Sequence, residues 1–281
     1  MRPRFFTLRK PSVLPGFRLT LAGALAYLAA IVLAPLGALA MRASALGLGG
    51  LWRIATEPRV TAALRTSFGI SFAAALIDLV LGLLIAWALS RYSFPGRRFF
   101  DAIVDLPFAL PTAVAGIALA TLYAPNGLLG APLAALGVKI AYTRWGVLVA
   151  LTFIALPFVV RTVEPLILEL DRDLEEASAT LGATRWRTLR RVVLPVLAPA
   201  LLTGFALAFA RAVGEYGSVI FIAGNVAYVS EIAPLLVVVK LEEYDYAGAT
   251  GIAVVMLAIS FAMLLVINLA QAWSRRKAGY V

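Results

Sequence analysis

Among the few ionisable side chains within the long apolar stretches of this chain, Asp78, Asp105 and the pair Arg211 and Glu215 are the candidates for chemistry. Carboxylates in such surroundings could serve as acid and base, and an arginine could attract an anion. None of the 281 residues is a histidine or a cysteine. Imidazole and thiolate metal ligands, a cysteine nucleophile and the commonest general base are therefore missing. No carboxylate pair converges on one helix, which counts against an intramembrane enzyme using Asp78, Asp105 or Glu215; the expectation is no catalytic residue and no metal site. Arg211 and Glu215 stand four positions apart, close enough on one helix face to pair. Two readings of them stay open: an internal ion pair that pins helix packing, or an arginine that lines a path for an anion. Asp78 has no partner identifiable from sequence and, as an ionisable residue at membrane depth, is a functional candidate by default.

A second concentration of polar groups is the stretch "EEASATLGATRWRTLRRVVLPVLAPAL" at 175–201. Asp173 is expected to cap a short helix, with Glu176 reaching back to it, and Leu174, Ala177, Ser178 and Leu181 sharing one face. Gly182 suits a left-handed stop after about two turns. A second short helix is expected from Thr184, its Arg185, Arg187, Arg190 and Arg191 able to meet anionic lipid headgroups before Pro195 opens the next apolar stretch.

The elements that must position these groups follow from composition. Sixty-two percent of the residues are hydrophobic and 14% charged, against roughly 25% charged in an ordinary soluble domain. The chain reads as an all-α integral membrane protein. Apolar stretches of spanning length cover 19–41, 66–90, 103–124, 145–168, 196–223 and 250–273, giving six spans with a cytoplasmic tail at 1–18, a polar loop at about 171–195 and a second tail at 274–281. The first stretch is too long for a signal h-region and is expected to remain as a helix. With both termini cytoplasmic, seventeen Lys and Arg fall inside and seven outside, as the positive-inside rule requires. The net charge of +10 is thus topological; no stretch interleaves aromatics with basic residues as a nucleic-acid surface would.

Trp52, Trp87, Trp145 and Trp273 fall near span ends as interface anchors. Pro107 and Pro111 must kink or interrupt the third span, where Gly116 and Ala120 admit a close neighbour. Outside, 226–248 can form a short helix along the interface, serving as an external gate, a docking surface or plain packing.

The loop resembles the EAA signature of ABC importer permeases. "EAS" at 176–178 is followed by Gly182 and, nine residues on, by "VVLP" at 192–195, with Ser178 in place of an alanine and Val192 of an isoleucine. The resemblance implies the type I ABC importer permease architecture, and a coupling helix seated in a cleft of a separate cytoplasmic ATPase. It assigns that coupling to Glu175, Glu176, Ala177, Ser178, Gly182, Leu194 and Pro195. No Gly-x-x-x-x-Gly-Lys-Ser/Thr loop is present, so ATP and Mg belong to the partner and no cofactor is expected on this chain.

"VLPGF" at 13–17, "RYSFPGRRFFDAIVDLPFALPTAVAG" at 91–116, "PFVVRTVEP" at 157–165 and "GEYGSVIFIAGN" at 214–225 are similar to the T-type permeases of sulfate and thiosulfate importers. That likeness implies a bacterial inner-membrane complex with a second permease subunit, W, two ATPase subunits and a periplasmic sulfate/thiosulfate-binding protein. Molybdate or tungstate permeases, which share much of the pattern, are the alternative. An intramembrane enzyme would turn over without an ATPase, and a passive anion channel would conduct without ATP.

Overall fold

The computed structural model describes residues 16–277. The basic tail up to residue 15, residues 278–281 and the side chain of Trp273 lie outside the described residues. No strand occurs among the described residues; helices, which satisfy their backbone polar groups internally, are the economical solution in lipid.

Helix α1 (Phe17–Leu28) passes through a π-helical turn, Ala29–Leu33, into α2 (Ala34–Ala55). The wide turn lies just before Pro35, whose missing N–H cannot complete an ordinary α turn. The rod runs to residue 55, past the expected end at 41, and Gly47 (φ 65°) kinks it on the way. None of the residues in its most apolar window is buried within this chain, while the helix reaches α14 near Ile54.

Helix α3 (Pro58–Arg91) has 34 residues and is thus about 50 Å long, against a hydrocarbon core of about 30 Å. Arg59 and Arg91 at its two ends therefore clear the hydrocarbon.

The third apolar stretch is divided into α4 (Arg97–Val104), α5 (Leu106–Ala109) and α6 (Thr112–Tyr123). Leu110, before Pro111, is extended (ψ 134°), because the proline ring excludes the helical region from its predecessor. Among the described residues, five helical rods are long and apolar enough to cross a membrane, whereas the longest piece of the divided stretch is the 12-residue α6. After α7 (Gly130–Ala135) come α8 (Arg144–Glu169), α9 (Arg172–Thr180) and α10 (Arg185–Thr188). A second π turn, Leu189–Val193, then opens α11 (Leu194–Val213). The chain continues through α12 (Val219–Ile222), α13 (Ala233–Glu242) and α14 (Tyr246–Lys277). Gly214 closes α11, so the fifth stretch ends at 213 and 219–222 forms a separate short helix.

The core lies where α3, α8 and α11 meet. Val159 of α8 sits between two glycines. A Cβ on Gly82 of α3 would come 2.7 Å from its Cγ1, and one on Gly204 of α11 would come 3.1 Å from its Cα. Without a hydrophobic drive between helices in lipid, such small-residue contacts let backbones approach and gain dispersion energy. Helix α13 packs against α14 and α3, with Ala233, Leu235 and Leu236 buried, instead of lying free along the interface.

Candidate functional site: the polar loop and the buried charges

The loop at 171–195 forms two short helices joined by a tight turn. Asp171, not Asp173, caps α9: its Oδ1 accepts from the backbone N–H of Asp173 at 3.0 Å. The helix starts two residues earlier than the Asp173 capping pattern predicts, because Leu170 leaves α8 in an extended conformation and Asp171 is the first carboxylate that can turn back. Glu176 is consequently free of a capping role and is exposed. Gly182 adopts φ +75°, a conformation that side-chain-bearing residues rarely take, and its N–H donates to the Ala179 carbonyl at 2.9 Å. Thr184 caps α10 by accepting from Arg187 N–H at 3.4 Å.

Ser178 Oγ lies 2.7 Å from Thr188 Oγ1, tying the two short helices together. Nothing in α9 is buried, and Leu174, Leu181 and Trp186 are exposed beside it. An apolar surface on a loop too polar for lipid is the kind of patch a protein partner covers. Leu194 and Pro195 begin α11, Leu194 half-buried and Pro195 exposed. Glu175 points the other way and pairs with Arg91 Nη2 at 2.8 Å.

Glu215 is buried at 3% exposure just beyond α11 and forms an ion pair with Arg211 Nη1. Its second oxygen accepts from Ser218 N–H at 2.9 Å and from Ser218 Oγ at 3.0 Å. The carboxylate thus fixes the turn from α11 to α12, and this turn in turn lies against Gly116, whose missing side chain admits the Ser218 backbone. The arrangement is that of an internal pair pinning helix packing.

Asp78 is fully buried on α3 and neither carboxylate oxygen has a hydrogen-bond partner; Ser71 Oγ and Thr152 Oγ1 are likewise unpaired. Asp105 is not free to act as a base: its two oxygens accept from Arg161 Nε at 2.8 Å and Nη2 at 2.7 Å. Arg161 also bonds Glu164 at 2.6 Å and lies 2.7 Å from Asp101 Oδ1, where the contact is charge without hydrogen-bond alignment. One guanidinium thereby staples α4 and α5 to α8.

Three pairings have no local signal in the sequence. Arg91 and Glu175 are 84 positions apart. Arg59 and Glu231 are separated by 172 and join through two hydrogen bonds of 2.9 and 2.7 Å. Arg144 donates to the backbone carbonyls of Tyr228 and Val229, clamping the segment that precedes α13. Among the aromatic anchors, Trp52 and Trp145 are exposed, as an interface position requires, while Trp87 is half-buried under the Arg91 guanidinium, 5.4 Å from its ring centre.

Known proteins share this architecture. An alginate ABC transporter solved with a pentasaccharide-bound periplasmic protein matches over 94% of this chain and 95% of its own, with a TM-score of 0.76 and 17% identity. The MetNI methionine ABC transporter in an inward-facing form matches over 78% of this chain and 95% of its own, with a TM-score of 0.54 and 22% identity. These likenesses establish the fold. Sequence relatives are nearer. The sulfate transport system permease protein CysT of Synechococcus elongatus is 53% identical over 253 residues, 90% of this chain and 91% of its own. CysT of Escherichia coli is 48% identical over 276 residues, 98% of this chain and all of its own. Residues 78–280 match the family described as binding-protein-dependent transport system inner membrane component. With an all-helical fold, several membrane-crossing rods and this coverage, the chain belongs to the binding-protein-dependent transport system inner membrane components, in the branch that holds the CysT sulfate permeases.

Proposed function

We propose that this chain is the membrane-spanning permease subunit of an ATP-driven importer that moves sulfate or thiosulfate across the bacterial inner membrane, with both termini in the cytoplasm. The observation that carries the reading is the α9–α10 loop. It combines the EAA spacing, an exposed helix with apolar neighbours and a left-handed Gly182 turn, in a chain about half identical to sulfate permeases. A short rigid helix transmits domain closure as a rigid-body displacement, where a flexible loop would absorb it.

In this reading Glu176, Ala177 and Ser178, with Gly182 setting their angle, seat in a separate ATPase that holds the ATP and Mg. Leu194 and Pro195 pass the displacement into α11 through the π turn at Leu189–Val193. The assembly comprises this subunit, the W-type permease, two ATPase subunits and a periplasmic sulfate/thiosulfate-binding protein that selects the cargo. A dianion cannot cross hydrocarbon unaided, so the path lies in a polar cleft shared by the two permeases. Arg211, committed to Glu215, serves mainly to shape that cleft.

The test exploits the absence of cysteine. Cysteine placed at Glu176 should crosslink to the ATPase subunit, and cells lacking this chain should lose radiolabelled sulfate uptake and regain it with the wild-type gene. Thiosulfate should compete at similar concentrations and molybdate poorly. Gly182→Val forces a β-branched side chain into the left-handed region, so it should remain in the membrane and abolish uptake. Wild-type uptake by that variant, or a crosslink only from the periplasmic side, refutes the assignment; efficient competition by molybdate reassigns the cargo.

A further inference from the structure

The contacts of α9 with the membrane bundle are few and specific. Along the chain it is joined to α8 by the extended Leu170 and by Asp171, and leads on through α10 and the π turn into α11. Across space it reaches the end of α3 through the Arg91–Glu175 pair. Arg91 is the last residue of α3 and its side chain is only 12% exposed. Its Nη2 donates to Glu175 Oε1 at 2.8 Å and to the Leu170 carbonyl at the end of α8 at 3.2 Å, while its guanidinium rests over Trp87. One side chain therefore holds three elements: α3, the end of α8 and the loop helix.

The surroundings of this side chain are not filled. On one side a hollow of about 490 Å³ is bounded by Trp87, Tyr92, Glu175, Ala179, Arg185 and Leu189. On the other, one of about 520 Å³ is bounded by Ser90, Arg91 and residues 167–172. Beside these hollows, the direct link from α9 to α3 is the ion pair that spans the gap. The guanidinium suits the task because it is always charged and planar, and its Nη2 donates to two acceptors at once. Helices α3 and α8 form the most extensive helix contact in the chain, locked at Gly82 on Val159, so whatever moves the end of α3 moves α8 with it.

We propose that Arg91 is a positioning residue for transport: a strut from the end of α3 that braces the extended Leu170 joint between α8 and α9, so that a displacement of α9 moves α8 and α3 as well as α11 instead of folding at the joint. The proposal rests on the coupling assignment of α9 above. Removing the strut lets α9 follow the ATPase by bending at Leu170 while α3 and α8 lag, so ATP is hydrolysed without matching cargo movement.

The experiment uses the complete importer in proteoliposomes with its binding protein, measuring sulfate uptake and ATP hydrolysis together for Arg91→Gln, Glu175→Gln and the double variant. Assembly is checked by size exclusion. Arg91→Gln should lower sulfate moved per ATP hydrolysed by about 5-fold or more, the lower end of ordinary coupling between sites. Glu175→Gln should do likewise, and the double variant should be no worse than the worse single, since both act through one contact.

Arg91→Lys, which keeps the charge but loses the fork, should lie between and serves if Arg91→Gln does not assemble. An unchanged ratio in assembled complexes overturns the proposal, as does additive loss in the double variant or a proportional fall of uptake and hydrolysis. Crosslinking from a cysteine at Glu176 separates the two claims. An intact crosslink with an unchanged ratio sinks the strut alone, whereas a missing crosslink sinks the coupling assignment beneath it.

Discussion

Gly116 offers the sharpest test of how the α11–α12 turn is held. A Cβ added there would stand 2.4 Å from the Ser218 carbonyl oxygen and 2.7 Å from Ser218 Cα. Both opposing atoms are backbone, so no rotamer change relieves the clash. Restoring an ordinary contact requires α6 and the turn to separate by about 1 Å, an overpacking that costs about 1–3 kcal/mol. Alanine recovers about 0.5–1 kcal/mol over glycine within a helix, leaving Gly116→Ala less stable by up to about 2.5 kcal/mol. Gly69 on α3 is the control, because nothing lies within 4 Å of its hypothetical Cβ; Gly69→Ala should be neutral or more stable by about 0.5–1 kcal/mol. Gly82→Ala falls between, since its neighbour is the Val159 side chain at 2.7 Å. The assay is the temperature at which the detergent-solubilised complex loses its monodisperse size-exclusion peak. The expected order of midpoints is Gly69→Ala, wild type, Gly82→Ala, Gly116→Ala. A Gly116→Ala midpoint at or above that of Gly69→Ala refutes the close backbone crossing and, with it, the account of how the Glu215 turn is fixed.

Two further outcomes follow from the charges. Arg211→Ala leaves Glu215 buried without its cation, which costs about 3–5 kcal/mol and should reduce the assembled complex recovered from membranes; adding Glu215→Gln should restore part of that yield, and full recovery of Arg211→Ala alone would count against a structural pair. At the start of α14, Asp245 accepts from Gly248 N–H at 2.8 Å and lies 3.2 Å from Lys240; the Gly248 bond foremost, then Lys240, holds its carboxyl below the ordinary carboxylate range. The folded state therefore gains from this group above about pH 4, and loses that gain as pH falls from there through the lowered folded value. Thermal midpoints recorded from pH 5 to pH 3 should fall less steeply for Asp245→Asn than for wild type, and parallel curves would contradict the assignment.

Composition and local pattern determined the solvent this chain lives in, because apolar runs of bilayer length and the Lys/Arg bias are properties of consecutive residues. The break at Pro107 and Pro111, the left-handed Gly182 turn and the Thr184 cap were legible for the same reason: each depends on a residue and its immediate neighbours. The Arg211–Glu215 pair was legible as a possibility, since four positions on a helix bring side chains together.

Tertiary structure alone decided the rest. It moved the α9 cap to Asp171, because the exit of Leu170 from α8 sets where the next helix can start. It turned Glu175 inward onto Arg91 and left Glu176 outside, although the two carboxylates are adjacent in sequence. It also showed that Asp105 is held by Arg161 and that Arg59 clamps Glu231. These contacts join residues tens to hundreds of positions apart. Their partners are chosen by how helices with small-residue faces settle against one another, a sum over the whole bundle that no window of sequence contains.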